Sequence, residues 1–149
     1  MQFTQTAAAA LQMCGIEAII LNIHHETSHE TTTTQISALL FNADICNSAR
    51  EGNDISPSWE SILYELDVGA KYVDLAGVGY HNDYDMLEVG NGKLTDEEER
   101  SHFAIWCLAS SPLLAGNNLT AATPATIAIL TAPGPISVNQ DALALQGRL

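Results

Sequence analysis

Basic side chains are scarce: five Lys and Arg stand against eighteen Asp and Glu, a formal charge of −13 at pH 7. Such a surface repels phosphate backbones and anionic lipid headgroups, so neither nucleic acid nor membrane is an expected partner. Long apolar runs are lacking as well, none reaching the roughly 18 residues needed to cross a bilayer. Met1-Gln2-Phe3 does not have the basic and then apolar start of a secretory signal peptide. Cysteine is limited to Cys14, Cys46 and Cys107. An odd number without metal-type spacing excludes a closed disulfide framework, so at least one thiol pairs elsewhere or stays free, and each can equally serve as a small buried hydrophobe. What is present is 149 residues, 46% of them apolar. That suffices for one domain with a core and is short for two, so residues 1–149 are read as a single domain. Asn118-Leu119-Thr120 is a glycosylation sequon, meaningful in a secreted protein.

Along the chain, helix and strand signals alternate. Ala7 to Cys14 is a helix former stopped by Gly15, and an apolar strand at Ile19 to Ile23 follows. Phe41 to Cys46 reads as the next strand. Ser56 then caps a helix with Pro57 at its first position and Glu60 in its first turn. Trp59, Ile62, Leu63 and Leu66 give that helix one buried face, and Gly69 ends it. Lys71 to Ala76 reads as a strand. Thr95-Asp96-Glu97-Glu98 is a capping box opening a helix whose inner face carries Phe103, Trp106 and Cys107. The Glu97 to Glu99 charge run is its solvated first turn. Ser111 to Leu114 is a further strand candidate, and Thr123-Pro124 caps a final helix through about Leu130, with Pro133-Gly134-Pro135 as a stop. This alternation predicts an α/β fold with a parallel sheet, its functional residues at strand carboxyl ends. Three stretches fall there and are expected to converge: the His-rich loop after Ile23, Asn47 to Asp54, and Gly77 to Asp85.

The first stretch, His24-His25-Glu26-Thr27-Ser28-His29, contains H-E-x-x-H, the ligand and base pattern of zinc hydrolases. That chemistry needs a helix, so that one turn brings His25 and His29 to one face with Glu26 beside a metal-bound water. Here the pattern follows the β-branched run Ala18 to Ile23 and precedes four threonines, Thr31 to Thr34, so it sits on a strand end and a loop. Zinc hydrolysis through His25, Glu26 and His29 therefore ranks third among the readings. In the second stretch, Arg50 and Asp54 flank three residues just before a helix, a place where a cation can hold a sugar hydroxyl or steer a carboxyl group that exchanges a proton. The plain alternative is a surface ion pair. In the third, Asp83, Asp85 and Glu88 share a loop with four glycines, which suits close approach of backbone to a ligand.

Taken in order, these segments resemble a known family. Asn47-Ser48-Ala49-Arg50 with Asp54-Ile55, Ser58-Trp59, Asn82-Asp83-Tyr84-Asp85-Met86-Leu87-Glu88-Val89-Gly90-Asn91-Gly92, Leu94-Thr95, Ser111-Pro112-Leu113-Leu114, and Val138-Asn139-Gln140-Asp141 with Gln146-Gly147-Arg148 are similar to glycoside hydrolase family 27, the α-galactosidases or melibiases. The resemblance runs from about Cys46 to Leu149, with a weaker echo from Ala7 to Ile23.

It implies a (β/α)8 TIM barrel, of which this chain covers roughly the last four strand-helix units, and retaining cleavage of terminal α-linked galactose from a small-molecule or oligosaccharide α-galactoside. By resemblance Asp54 is the general acid/base, Arg50 its neighbour that also touches the sugar, and Asp85 with Met86 part of the galactose pocket wall. No cofactor and no metal site are implied. Retention needs a second carboxylate about 5 to 5.5 Å from the first. The family's nucleophile lies in a Lys-x-Asp segment on an earlier strand, and nothing resembling it precedes Asp54, so the chain is read as a fragment without its nucleophile strand, inactive in isolation. Secretion is expected only as part of a full-length family member. Several positions depart from the family pattern: His24 stands for a Cys, Ala49 and His81 for Trp, Val78 and Tyr84 for Pro. A remodelled pocket is expected, with the C2 preference left open. The non-enzyme alternative is a carbohydrate-binding or self-associating half barrel, forming a homo-oligomer through open barrel edges.

Overall fold

The computed structural model describes Ile20, Leu21 and residues 46–148. Three short strands, β1 (Ile20–Leu21), β2 (Ser48–Arg50) and β3 (His81–Asp83), form a parallel sheet in the order β1-β2-β3. The register pairs Ile20 with Ser48, Ser48 with His81 and Arg50 with Asp83. Parallel neighbours require a crossover, and between β2 and β3 it is made by α1 (Trp59–Gly69) and a 3-10 segment (Ala70–Leu75). Three helices follow: α2 (Asp96–Leu108), α3 (Pro124–Leu130) and α4 (Pro133–Asn139).

The caps of α2 and α3 form as expected, but Glu99, expected in a solvated turn, is buried and accepts from the Gly90 amide at 2.8 Å. Thr95 and Glu98 make the reciprocal capping box, and the Thr123 hydroxyl accepts from the Thr126 amide with Pro124 in the first turn. At α1 the cap is Ser58 rather than Ser56. Pro57 lies before the cap, because the Ser58 amide closes a tight turn onto Ser56 O at 2.7 Å and the Ser58 hydroxyl accepts from Ser61 N at 3.3 Å. The buried face of α1 also differs from the expected one. Ile62 is fully buried, with Trp59 and Leu66 half-buried against the core, but Leu63 is exposed and Glu65 is buried.

Lys71 to Ala76, expected as a strand, lies in the 3-10 segment and the residue after it. Its carbonyls find side chains instead of a ladder: Tyr72 O accepts from Asn82 Nδ2 at 2.8 Å, while Gly69 O at the end of α1 accepts from Gln146 Nε2 at 3.3 Å. The strand falls later, inside the Gly-rich stretch expected to be a loop. Gly77 and Tyr80 exchange backbone hydrogen bonds at 3.0 Å around Gly79, whose φ of 95° suits a residue without Cβ, and this turn feeds β3. Ser111 to Leu114 is not a strand; a single parallel bridge joins Ala115 to Leu87. The helix from Pro124 ends at Leu130 as expected but is not the final one: Pro133-Gly134-Pro135 also starts α4, since a first-turn proline gives up an amide that has no intrahelical partner. The helix expected at Ala7 to Cys14, residues 41–45 of the expected second strand, and Cys14 lie outside the described residues.

The core gathers Ile62, Tyr84, Leu87, Val89, Phe103 and Trp106 between the sheet and the helices. Cys46 and Cys107 are buried free thiols. Among the described residues, no helix is long and apolar enough to cross a membrane.

Candidate active site

Because β2 and β3 are parallel and in register at Arg50 and Asp83, the loops that follow them leave the sheet side by side. Arg50 joins the two loops. Its Nη2 lies 2.6 Å from Asp54 Oδ1, and its Nη1 lies 3.2 Å from Asp85 Oδ2. Burial works against the Arg50 charge, yet the hydrogen bond to Asp54 and the charges of Asp85, Asp54 and Asp83 hold its pKa above the ordinary value. The Asp54 side chain is 71% exposed, whereas those of Arg50 and Asp85 are largely buried.

Asp85 is held by donors on every side. Its Oδ2 accepts from the Ile55 amide at 2.9 Å, its Oδ1 from the Met86 amide at 2.8 Å, and its carbonyl from Trp106 Nε1 at 2.7 Å. Its own amide donates to Asp83 Oδ1 at 2.9 Å. The residue has φ of 75°, a left-handed conformation that is costly for a side-chain-bearing residue and persists only where surrounding contacts dictate it. Met86 follows with its side chain exposed. The expected set of Arg50, Asp54, Asp85 and Met86 is thus brought to one place, the first three as one ion-paired network. Asp83 lies beneath it, its carboxyl pushed up chiefly by burial. Glu88 turns away instead: its carboxylate accepts from Asn91 Nδ2 and its amide donates to His102 Nε2 at 2.9 Å, bracing the following turn.

Two carboxyl groups near the network were not singled out by the sequence reading. Glu51, directly after Arg50, has both oxygens buried without a hydrogen-bond partner, and burial, with the Asp83 charge adding to it, pushes its carboxyl up to about 9. Glu65, on α1, is 2% exposed and is held up to about 7 mainly by burial. A helical stripe of Trp59, Ile62, Glu65, Leu66 and Gly69 carries the signal for Glu65; no sequence signal marks Glu51.

His25, Glu26 and His29 of the H-E-x-x-H pattern lie outside the described residues, so the convergence of that loop with the other two is not described. Among the described residues no cluster of three His, Cys, Asp or Glu side chains could hold a metal ion. A concavity of about 450 Å³ opens toward the amino end of β3, lined by His81, Ser111, Asn139 and Gln140 among others, and does not include Arg50, Asp54 or Asp85.

The family model described as alpha galactosidase A (Melibiase_2) matches residues 7–141. Alpha-galactosidase 2 of Arabidopsis thaliana is 45% identical over 105 residues, covering 70% of this chain and 26% of the relative. Alpha-N-acetylgalactosaminidase of Rattus norvegicus is 40% identical over 111 residues, covering 72% and 27%. A solved α-galactosidase of Saccharomyces cerevisiae with raffinose superposes with a TM-score of 0.65 at 31% identity, covering 68% of this chain and 27% of that one. The chain spans about a quarter of the length of the curated relatives it matches.

Proposed function

The chain belongs to the alpha galactosidase A family, and from that premise we propose that it forms the acid/base side of an active site that cleaves terminal α-linked galactose with retention. The observation that carries this reading is the Arg50 bridge between Asp54 and Asp85. A sugar is recognised by donors and acceptors held in fixed directions. Asp85, locked by two backbone amides and a guanidinium, is a fixed acceptor for hydroxyl groups; Arg50 supplies donors beside it. Exposed Met86 offers an apolar surface next to both.

Asp54 has a different task. It is exposed, so it reaches a leaving-group oxygen, and its one carboxyl group both donates a proton as the glycosidic bond breaks and recovers one from the water that attacks next. The first half-reaction needs a carboxylate about 5 to 5.5 Å away that attacks the anomeric carbon from the opposite face. Neither lysine, Lys71 or Lys93, begins a Lys-x-Asp segment, and Asp83 and Asp85 stand on the same rim as the sugar wall. We therefore place that nucleophile on another strand of a (β/α)8 barrel to which these strands contribute, and expect no turnover from this chain alone.

The test is a hybrid in which this chain replaces the matching segment of a curated relative that supplies the nucleophile. Hydrolysis of an α-galactoside with a sugar leaving group is expected, and Asp54→Ala is expected to lower its rate by about 10² to 10⁴, the usual contribution of a general acid. A folded hybrid indifferent to Asp54→Ala contradicts the assignment. Comparing galactose with N-acetylgalactosamine substrates in the same hybrid reads the C2 preference.

A further inference from the structure

Glu65 lies on the inward face of α1, one turn after fully buried Ile62. Inward helix positions normally carry apolar side chains, because a carboxylate taken out of water needs partners to offset the loss of hydration. The partners here belong to the loop that carries Asp54. A Cβ built on Gly52 would lie 1.6 Å from Glu65 Oε2, so the carboxyl group rests directly against the loop backbone where no side chain intervenes. The Asn53 backbone amide favours the charged form of the same carboxyl. One residue earlier on the helix, the Tyr64 hydroxyl accepts from Asn53 Nδ2 at 3.0 Å. Two consecutive helix residues thus grip the two loop residues that immediately precede Asp54. Glu65 Oε1 has no hydrogen-bond partner. The charged and titratable groups facing Glu65 come from each neighbouring element: Arg50 from β2, Glu51 and Asp54 from the loop after it, and Asp85 from the loop after β3. Arg50 is the cation in that set.

We propose that Glu65 is a positioning residue for the acid/base group: it holds the backbone at Gly52 and Asn53 on α1 and draws on the same Arg50 guanidinium that holds Asp54 and Asp85. Its value for catalysis rests on Asp54 being the acid/base; the contacts themselves do not. Burial raises the Glu65 carboxyl to about 7, with Arg50 pulling it down and Asp85 and Asp54 pushing it up, so the group changes charge near neutrality. Protonated, it leaves Arg50 to the two aspartates. Ionised, it competes for Arg50 and adds a negative charge behind Asp54.

The test needs no turnover. In the 149-residue chain, the Arg50 Nε–Hε signal followed by NMR is expected to move through a step with its midpoint at about 7. Glu65→Gln is expected to remove that step while leaving the amide signals of Ser48–Arg50 and His81–Asp83 in place. A flat Arg50 signal in the unsubstituted chain, or a step that survives Glu65→Gln, overturns the proposal. If Glu65→Gln does not fold, carbon-13 titration of the Glu65 carboxyl decides the matter. A midpoint near neutrality that falls in Asp54→Asn supports the proposal; an ordinary carboxylate midpoint, or one that Asp54→Asn leaves unmoved, overturns it. Failure of the glycosidase reading shows differently, as an intact Arg50 step in a chain whose hybrid barrel turns over regardless of Asp54.

Discussion

The loops that leave β2 and β3 sit side by side but hold their polar groups in opposite ways. In the loop after β3, Tyr84 N reaches Ser111 Oγ, Asp85 O receives Trp106 Nε1, and both Asp85 oxygens accept from backbone amides. In the loop after β2, the Asp54 carboxylate stands 71% exposed, and the two buried oxygens of Glu51 have no hydrogen-bond partner. A wall that reads sugar hydroxyls works by staying still, since directions fixed in advance cost nothing to fix on binding. The acid/base role proposed for Asp54 requires tolerance of both charge states, and its loop also carries Glu51, whose carboxyl burial pushes up to about 9.

Breaking the rigid side is expected to have the largest effect. Trp106 is fully buried, stands edge-on to Tyr84 with ring centroids 5.5 Å apart, and donates to Asp85 O. Trp106→Ala is expected to lower stability by about 3 to 5 kcal/mol, read as the urea midpoint, with faster amide exchange at Asp85 and Met86. Glu51 is expected to act in the opposite direction. Its folded-state pKa is raised from 4.5 to about 9, so the folded chain holds a proton that the unfolded chain releases, and stability falls as pH rises through that interval. Glu65, raised to about 7, contributes the same sign up to neutrality. His102 is lowered from 6.5 to about 4 by burial, so its contribution is complete above 6.5 and is lost only on acidification. Above 6.5 the histidine has no further effect, and the thermal midpoint is expected to fall steadily toward pH 9. Glu51→Gln is expected to flatten that fall and to raise stability near pH 8 by about 1 to 3 kcal/mol. The smallest effect is expected from Asn53→Ala, which removes the hydrogen bond to the Tyr64 hydroxyl at a cost of about 0.5 to 1.5 kcal/mol. It should loosen the Asp54 loop and leave the Asp85 loop unchanged in amide exchange.

The difference between the loops also explains what could be read from residues alone. Thr95 and Thr123 announce their helices because a cap is a local event, and the family-like motifs from Asn47 to Gly92 mark Arg50, Asp54 and Asp85, which the fold brings together. β3 was hidden because His81-Asn82-Asp83 is polar and sits among glycines. Asn82 is nevertheless fully buried, its Nδ2 donating to Tyr72 O and to Oε1 of Gln146, 64 residues away, a partner no local pattern reveals. Lys71 to Ala76 resembles a strand in its apolar content, yet its carbonyl at Tyr72 is taken by that same Asn82. The buried carboxyls differ in this respect: Glu65 falls on the apolar stripe of its helix although its charge predicts exposure, whereas only the fold shows that Glu51 is enclosed.

Azide trapping tests the division of labour between the two loops most directly. In the hybrid barrel, Asp54→Ala with an activated α-galactoside still forms the glycosyl-enzyme, because a good leaving group needs little protonation, and azide then replaces water without needing a general base. The result expected is a faster turnover with azide and an α-galactosyl azide, the retained configuration, since azide enters from the face the leaving group vacated. A β-galactosyl azide would mean that Asp54 had been the nucleophile, and turnover unchanged by the substitution would mean that it has no part in the reaction; either result contradicts the account.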